Sequence, residues 1–248
     1  MGRPSNPIVV VPARMASSRL PGKPLADIGG EPMIVHVWRR AMQAGVGPVL
    51  VACAEPEIAE AVRKVGGTAV LTRPDHPSGS DRVHEAIEQV DPEGRHDVVI
   101  NLQGDALTPD IGVIAATLDS LAEAAVDIGT LAVPFAEPSE ALNPNFVKAV
   151  VSMPPGARGG RALYFSRHPV PSGEGPLWHH IGLYAFRRAA LRRFITLPPS
   201  PLEVRERLEQ LRALEHGMRI DVTIVNAHIF DVNTPEDLAR ARALVTGR

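Results

Sequence analysis

Residues Ile8 to Leu25 read Ile-Val-Val-Val-Pro-Ala-Arg-Met-Ala-Ser-Ser-Arg-Leu-Pro-Gly-Lys-Pro-Leu. The apolar run Ile8-Val9-Val10-Val11 has the pattern of a buried strand. A polar, turn-rich loop carrying Arg14, Arg19 and Lys23 follows at once. In an α/β protein the loop at the carboxyl end of the first strand faces the ligand crevice. Three fixed cations among small residues suit a polyphosphate, because backbone N–H groups can approach closely while Arg or Lys neutralises charge. A merely solvated basic loop is the alternative reading. The loop holds no acid and leaves a buried-type strand directly, and both points favour a ligand.

Outward from this stretch, strand and helix patterns alternate, the mark of a mainly parallel sheet covered on both faces. Strands are expected at 48–52, 69–72, 97–102 and 128–133, and helices at 33–44, 56–65, 81–89 and 111–122. In the first helix Ile34, Val37, Trp38, Ala41 and Met42 recur at spacings of three and four. The second half departs from alternation. Strands are expected at 147–152, 161–165, 221–225 and 229–232, a loop from Pro169 to Trp178, and one helix from Pro201 to Glu215 stopped at Gly217. Thr234-Pro235-Glu236-Asp237 opens a last helix with a Thr cap, Pro in the first turn and acids at the positive end. The expected organisation is one domain over residues 1–248, with a smaller lobe within about 135–220.

Composition narrows the function classes. The 248 residues are 44% hydrophobic and only 4% aromatic, so the core must be mostly Val, Leu, Ile and Ala. A net charge of −2 without a long basic run argues against a nucleic-acid surface. The single cysteine, Cys53, lies in a strand-like run and reads as a buried structural thiol. Met1 to Pro7 is too polar for a signal peptide, and no apolar run approaches the ~20 residues of a membrane span. A cytoplasmic protein is therefore the expectation. No Gly-x-Gly-x-x-Gly follows the first strand, which disfavours a dinucleotide dehydrogenase, and Pro21-Gly22-Lys23 lacks P-loop spacing.

Other segments carry chemistry-bearing residues. They are Arg73-Pro74-Asp75-His76-Pro77-Ser78-Gly79-Ser80-Asp81-Arg82, Asn101-Leu102-Gln103-Gly104-Asp105, Asn143-Pro144-Asn145, Ala162-Leu163-Tyr164-Phe165-Ser166-Arg167, His180-Ile181-Gly182-Leu183-Tyr184, Pro199-Ser200-Pro201-Leu202-Glu203 and Leu208-Glu209-Gln210-Leu211-Arg212. With the first stretch, this collinear set resembles the 3-deoxy-manno-octulosonate (Kdo) cytidylyltransferases over nearly the whole chain. The resemblance implies a Rossmann-like nucleotidyltransferase fold of the α/β class, with a mainly parallel central sheet and a smaller α+β lobe for substrate and dimerisation. It implies transfer of CMP from CTP to the anomeric hydroxyl of Kdo, with Mg2+, for lipopolysaccharide synthesis, and a homodimer.

Residue by residue, the resemblance implies that Arg14, Lys23 and Asp105 are catalytic. Arg14, Lys23, Arg73, Ser78, Gly79 and Gln103 would hold the nucleotide. Gln103, Arg167, His180, Tyr184, Glu209 and Gln210 would hold the sugar acid. Asp105 follows a buried run and a flexible Gln-Gly pair, well placed for a hard cation, although a turn or cap aspartate reads the same way. The segment from Arg73 to Arg82 would wrap cytosine and ribose, and it also reads as a turn into a helix capped by Ser80. Gln103 can serve base or sugar acid. His180 and Tyr184, four apart, would share one side of a strand. Kdo carries one carboxylate, for which Arg167 is the natural partner. Glu209 and Gln210, without the resemblance, read as a solvated helix face. His179 has no assigned role.

The chain departs from the family pattern near the metal. Ala106-Leu107 stand where the family continues with an acid or aromatic residue and Pro. Asn233 stands where the family has its second metal-binding aspartate, and Ala54 stands where Asp is common. An Asn carbonyl is a weaker Mg2+ ligand than a carboxylate. Asp231, two residues earlier, would share its face on a strand and can supply the charge directly or through water. Both residues can instead cap the last helix. Rival functions are a cytidylyltransferase for another 2-keto sugar acid and a catalytically weak nucleotide-binding homologue.

Overall fold

The structure, a computed structural model, describes residues 4–16, 20–107, 110–227 and 230–246. Arg19 and the start of the strand expected at Ile229 lie outside these residues. In chain order the elements are β1 (Pro7–Ala13), β2 (Asp27–Ile28), β3 (Glu31–Pro32), α1 (Met33–Gln43), β4 (Val49–Cys53), α2 (Pro56–Lys64), β5 (Thr68–Leu71), α3 (Gly79–Val90), β6 (Val98–Asn101), α4 (Gly112–Ala116), β7 (Ile128–Pro134), β8 (Lys148–Ser152), β9 (Gly159–Ser166), β10 (Trp178–Arg187), α5 (Arg188–Thr196), α6 (Pro201–Glu206), α7 (Gln210–Glu215), β11 (Ile220–Ile224) and α8 (Pro235–Thr246). They fall into two compact units, residues 6–114 with 230–246, and residues 115–227 with 4–5. The second unit starts earlier and ends later than the lobe expected from sequence.

In the first unit the strands lie in the order β5-β4-β1-β6, and every pairing is parallel. The core is Val, Ile, Leu and Ala: Val9, Val10, Val11, Val51 and Ile87 are fully buried. A parallel strand covered on both faces needs such unbroken apolar runs. The chain steps from β1 through α1 to β4 and through α2 to β5, then crosses back through α3 to β6. Strand order therefore reverses between β1 and β6, and the carboxyl ends of these two strands form the crevice where ligands bind in such sheets. The loop from Arg14 leaves β1 there, and Gln103-Gly104-Asp105 leaves β6 there.

The helix ends follow local chemistry. Ser78, not the expected Ser80, caps α3: its Oγ accepts from the Asp81 N–H at 3.2 Å and donates to the Asp81 carboxylate at 2.6 Å. Thr234 Oγ1 caps α8 by accepting from the Asp237 N–H at 3.2 Å, while the Asp237 carboxylate takes the N–H groups of Asn233 and Thr234. The expected Thr cap is thus present.

The second unit is not parallel. Its strands lie in the order β10-β7-β11-β9-β8, and the start of β10 also pairs with β8, so the pairing closes on itself. Only β7 with β11 is parallel; the other pairs are antiparallel. The mainly parallel sheet expected from sequence is therefore corrected to a mixed arrangement. Alternation of strand and helix ends near Ile128, and short strands joined without crossover helices can only return antiparallel.

Two expected helices are broken. The 111–122 segment is α4 followed by a 3-10 turn at Asp119–Leu121. The 201–215 helix splits into α6 and α7 at Arg207, which takes left-handed φ 56°, ψ 48°. Non-Gly residues adopt that conformation at a cost that surrounding contacts must offset. Here Arg167 supplies contacts: Nε donates to Glu206 O at 2.9 Å and Nη2 to Arg207 O at 3.4 Å. Among the described residues no helix is long and apolar enough to cross a membrane.

Candidate active site

A cavity of about 730 Å³ opens at the β1/β6 crevice, bordered by Arg14, Lys23, Ser78, Gly79, Arg82, Gln103, Asp105 and Asn233. The loop after β1 is shaped by its own backbone. Gly22 N–H donates to Met15 O at 3.1 Å, Met15 N–H donates to the Glu55 carboxylate at 3.1 Å, and Gly22 sits at φ 72°, which suits glycine. The turn that follows brings Lys23 inward. Its Nζ donates to Asp105 Oδ2 at 2.5 Å and to Val232 O at 2.9 Å.

Gly104 explains how Asp105 gets so close to β1. A Cβ at position 104 would lie 2.6 Å from the Pro12 carbonyl oxygen, so only glycine lets the backbone pass. Gln103 Nε2 donates to Asn101 Oδ1 at 3.2 Å, which orients the amide. The cavity's lining carries the cations Arg14, Lys23 and Arg82 against one carboxylate, Asp105. Burial, opposed by Glu55 and reinforced by the like charge of Arg14, holds the Arg82 guanidinium below its ordinary value. An anion entering the cavity relieves that repulsion. The N-terminus of α3, at Ser78 and Gly79, adds its positive end.

The C-terminal segment returns beside Asp105. Leu107 N–H donates to Phe230 O at 2.9 Å, Val232 N–H to Asp105 O at 3.0 Å, and Ala106 and Asp231 are bridge partners. Asn233 reaches the cavity lining, and Asp231 is not part of it. Crowding by protein atoms and, second, the negative charge of Asp105 push the Asp231 carboxyl up to about 7. Asp231 keeps an exposed face, so water relieves part of the crowding. Among the described residues no three His, Cys, Asp or Glu side chains form a metal cage. One carboxylate and one amide oxygen beside a cationic cavity still fit Mg2+, which keeps its waters and takes few protein ligands plus substrate phosphates.

Arg73 is not among the lining residues. Its exposed guanidinium pairs with Glu85 at 3.6 Å.

Gln103 apart, the residues expected to hold a sugar acid lie in the second unit. His180 is buried, with Nε2 3.0 Å from Thr130 Oγ1. The Thr130 hydroxyl also reaches the carbonyls of Ile181 and Leu183 at 3.1 and 2.9 Å. Carbonyls only accept, so the one hydroxyl proton goes to them and His180 donates from Nε2 as the neutral tautomer. Burial, reinforced by His179, pushes His180 down to about 3. The ring of Tyr184 lies 5.5 Å from that of His180, and burial followed by the Glu209 charge raises its phenol. Gln210 is buried and Glu209 half-buried, so the solvated-face reading of this pair is corrected. They follow the helix break at Arg207 and open α7. His179 stacks on Phe135 at 5.4 Å.

Sequence reasoning missed two organisers here. Glu206 accepts from Tyr164 Oη at 3.3 Å, Ser166 Oγ at 3.0 Å and the Arg167 N–H at 3.1 Å. The Tyr-Phe-Ser-Arg motif is thus a clamp on the end of α6. Burial raises the Glu206 carboxyl, but these bonds outweigh it and hold it low. Lys148 is fully buried, and its Nζ donates to Asn143 O, Phe146 O and Arg167 O at 3.1, 2.7 and 2.6 Å. Burial lowers its pKa. A lysine is almost never buried without partners, so its sequence position beside the Asn-Pro-Asn motif was the available signal. Arg167 Nη1 donates to Pro144 O at 3.0 Å, tying the same loop.

A doubly wound half with a cationic, carboxylate-bearing crevice defines a nucleotide-handling enzyme, and the chain belongs to the cytidylyltransferase family, whose model matches residues 8–220. Within that family it belongs with the 3-deoxy-manno-octulosonate cytidylyltransferases. It is 62% identical to that enzyme of Methylobacterium radiotolerans over 245 residues, 98% of each chain. Identity to that of Paramagnetospirillum magneticum is 60% over 239 residues, 96% of this chain and 97% of the relative. A solved CMP:2-keto-3-deoxy-manno-octonic acid synthetase complexed with CTP matches with a TM-score of 0.89 and 40% identity, over 98% of this chain and 99% of that one. A putative glucose-1-phosphate thymidylyltransferase from Bacillus anthracis, at TM-score 0.64 and 16% identity over 96% and 94%, shares the fold alone.

Proposed function

We propose that the chain joins CMP from CTP to the anomeric hydroxyl of Kdo, releasing pyrophosphate and giving CMP-Kdo for lipopolysaccharide synthesis. The carrying observation is the crevice that gathers Arg14, Lys23, Gln103, Asp105 and Asn233 from three separate chain segments around one cavity. The sugar hydroxyl oxygen bonds to the α-phosphorus, the bond to the bridging oxygen breaks, and the hydroxyl proton leaves to solvent. Such a transfer depends on in-line positioning and charge neutralisation. Arg14 and Lys23 draw the triphosphate into the cavity, and the N-terminus of α3 receives further phosphate charge. Asp105 and Asn233 would hold Mg2+, with the Asp231 carboxyl nearby, and the ion would supply neutralisation of the triphosphate's charge. Gln103 orients base or sugar. Arg167, with one N–H left on each of Nη1 and Nη2 after its carbonyl bonds, takes the sugar carboxylate. His180, Tyr184, Glu209 and Gln210 meet the hydroxyls.

The enzyme is proposed to act in the cytoplasm as a homodimer, and exposed Leu142, Leu163 and Val204 in the second unit give apolar surface for self-association. The test is pyrophosphate release from CTP and Mg2+ with Kdo, with sialic acid, or without acceptor. Release with Kdo alone is expected. Preference for sialic acid would move the chain to another 2-keto sugar acid, and CTP binding without release under any condition would make it a nucleotide-binding homologue.

A further inference from the structure

We infer that Glu85, on α3 and outside every sequence motif, is a positioning residue for the nucleotide cavity, acting through His76 and Arg73. The inference rests on the reading that this cavity holds CTP. The segment from Thr72 to Ser78 carries no regular structure, yet its last residue and Gly79 border the cavity. Its shape must be imposed by neighbours. The inner face of α3 imposes it, through residues spaced at three and four: Arg82, Glu85 and Gln89.

Arg82 Nη1 donates to Thr72 Oγ1 at 2.6 Å and to Arg73 O at 3.1 Å, and Nη2 donates to Pro74 O at 3.4 Å. One turn on, the Glu85 carboxylate accepts from the Arg73 N–H with both oxygens at 3.2 Å, and from His76 Nε2. Gln89 Nε2 donates to Glu85 Oε1 at 3.0 Å and steadies the carboxylate. Burial pushes the Glu85 carboxyl up, but the His76 and Arg73 bonds outweigh it and hold it below the usual range.

The contact with His76 is decisive. The imidazole is buried, and among the described residues its Nδ1 has no hydrogen-bond partner, so the bond to Glu85 anchors the ring. His76 precedes Ser78 by two residues with a rigid Pro77 between them, so a shift of the ring passes to the cap of α3. Arg82 fixes the start of the loop; Glu85 fixes its middle and, through His76, its end.

The test compares Glu85→Ala and Glu85→Gln with the parent in steady-state pyrophosphate release, varying CTP and Kdo separately, with thermal unfolding in parallel. Glu85→Ala is expected to raise the KM for CTP about tenfold, the equivalent of one charged hydrogen bond, with the KM for Kdo within about twofold. Glu85→Gln, whose amide oxygen still accepts from His76, is expected to return the CTP KM to within about threefold of the parent. If Glu85→Ala fails to fold, His76→Gln is measured instead, with the same split expected. A CTP KM within about twofold of the parent, or equal rises for both substrates, overturns the inference. A parent that fails to bind CTP by direct titration overturns the reading of the cavity itself, so the two failures are distinguishable.

Discussion

The ammonium of Lys23 sits 2.5 Å from the carboxylate of Asp105, joining the loop after β1 to the loop after β6 across 82 residues of sequence. Both side chains are mostly shielded, at 15% and 22% exposure, so the pair senses a lower dielectric than surface pairs do. Under the proposed function, this pair sets an acceptor for a cation beside a donor for a phosphate.

Lys23→Ala and Arg14→Ala should each weaken use of CTP without unfolding the chain. Loss of one charged hydrogen bond costs ~1.5–3 kcal/mol, or roughly 10–100-fold in kcat/KM. Pyrophosphate release at varied CTP measures this, and parental values for both variants would remove the loop from the phosphate site. Asp105→Asn should abolish release.

Metal dependence separates Asn233 from Asp231. Because Asn233 borders the cavity and Asp231 does not, Asn233→Ala should raise the Mg2+ needed for half-maximal rate more than Asp231→Asn does. This reverses the order that sequence alone favours. Asn233→Asp should bind Mg2+ at least as tightly as the parent, since a hard cation prefers charged oxygen. A Mg2+ titration of all three variants decides the order. A larger shift for Asp231→Asn would make Asp231 the ligand.

Arg167→Ala should raise the KM for Kdo about 10–100-fold, and that for CTP far less, by removing a charged pair. It should also lower the melting temperature, because Arg167 serves the carbonyls of Pro144, Glu206 and Arg207. Arg167→Lys should not rescue either property, since an ammonium cannot spread its donors as a planar fork does. Equal KM rises for both substrates would take Arg167 out of the sugar pocket.

Stability should fall as the pH drops from about 6.5 toward 3. His180 is held down to about 3 in the fold and returns to its ordinary value near 6.5 on unfolding. Between those values the unfolded chain binds the extra proton, so stability is full above 6.5 and is lost as pH falls. His179, pushed down to about 4 chiefly by burial, acts in the same sense. Urea unfolding at pH 7.5 and 5 should show a smaller loss for His180→Gln than for the parent. Identical losses would mean that His180 is not neutral in the fold.

The half of the molecule built by crossovers was legible because each step is local: an apolar run, a polar loop, an amphipathic helix. Arg14 and Lys23 could be read as ligand-facing from the loop that leaves the first strand, whereas Gln103 and Asp105 took their roles from the family resemblance. The other half depends on distant partners. Nothing near Arg207 announces a left-handed residue, since its conformation answers to Arg167, forty positions earlier. Lys148 reads as a surface lysine until three carbonyls converge on it. Ser78 and Ser80 both look like caps, and only the Asp81 geometry separates them.

The pairing of residues 230–232 with residues 105–107 also bears on how the enzyme is made. A ribosome synthesises β1, α3 and β6, and with them most of the cavity's lining, long before it reaches Asn233. During that interval Lys23 lacks the Val232 carbonyl and the Asp105 carbonyl lacks the Val232 N–H. The nascent chain thus completes the lining of the cavity last, after the second unit has been made, and a chain cut short before this segment lacks Asn233 and the Val232 carbonyl.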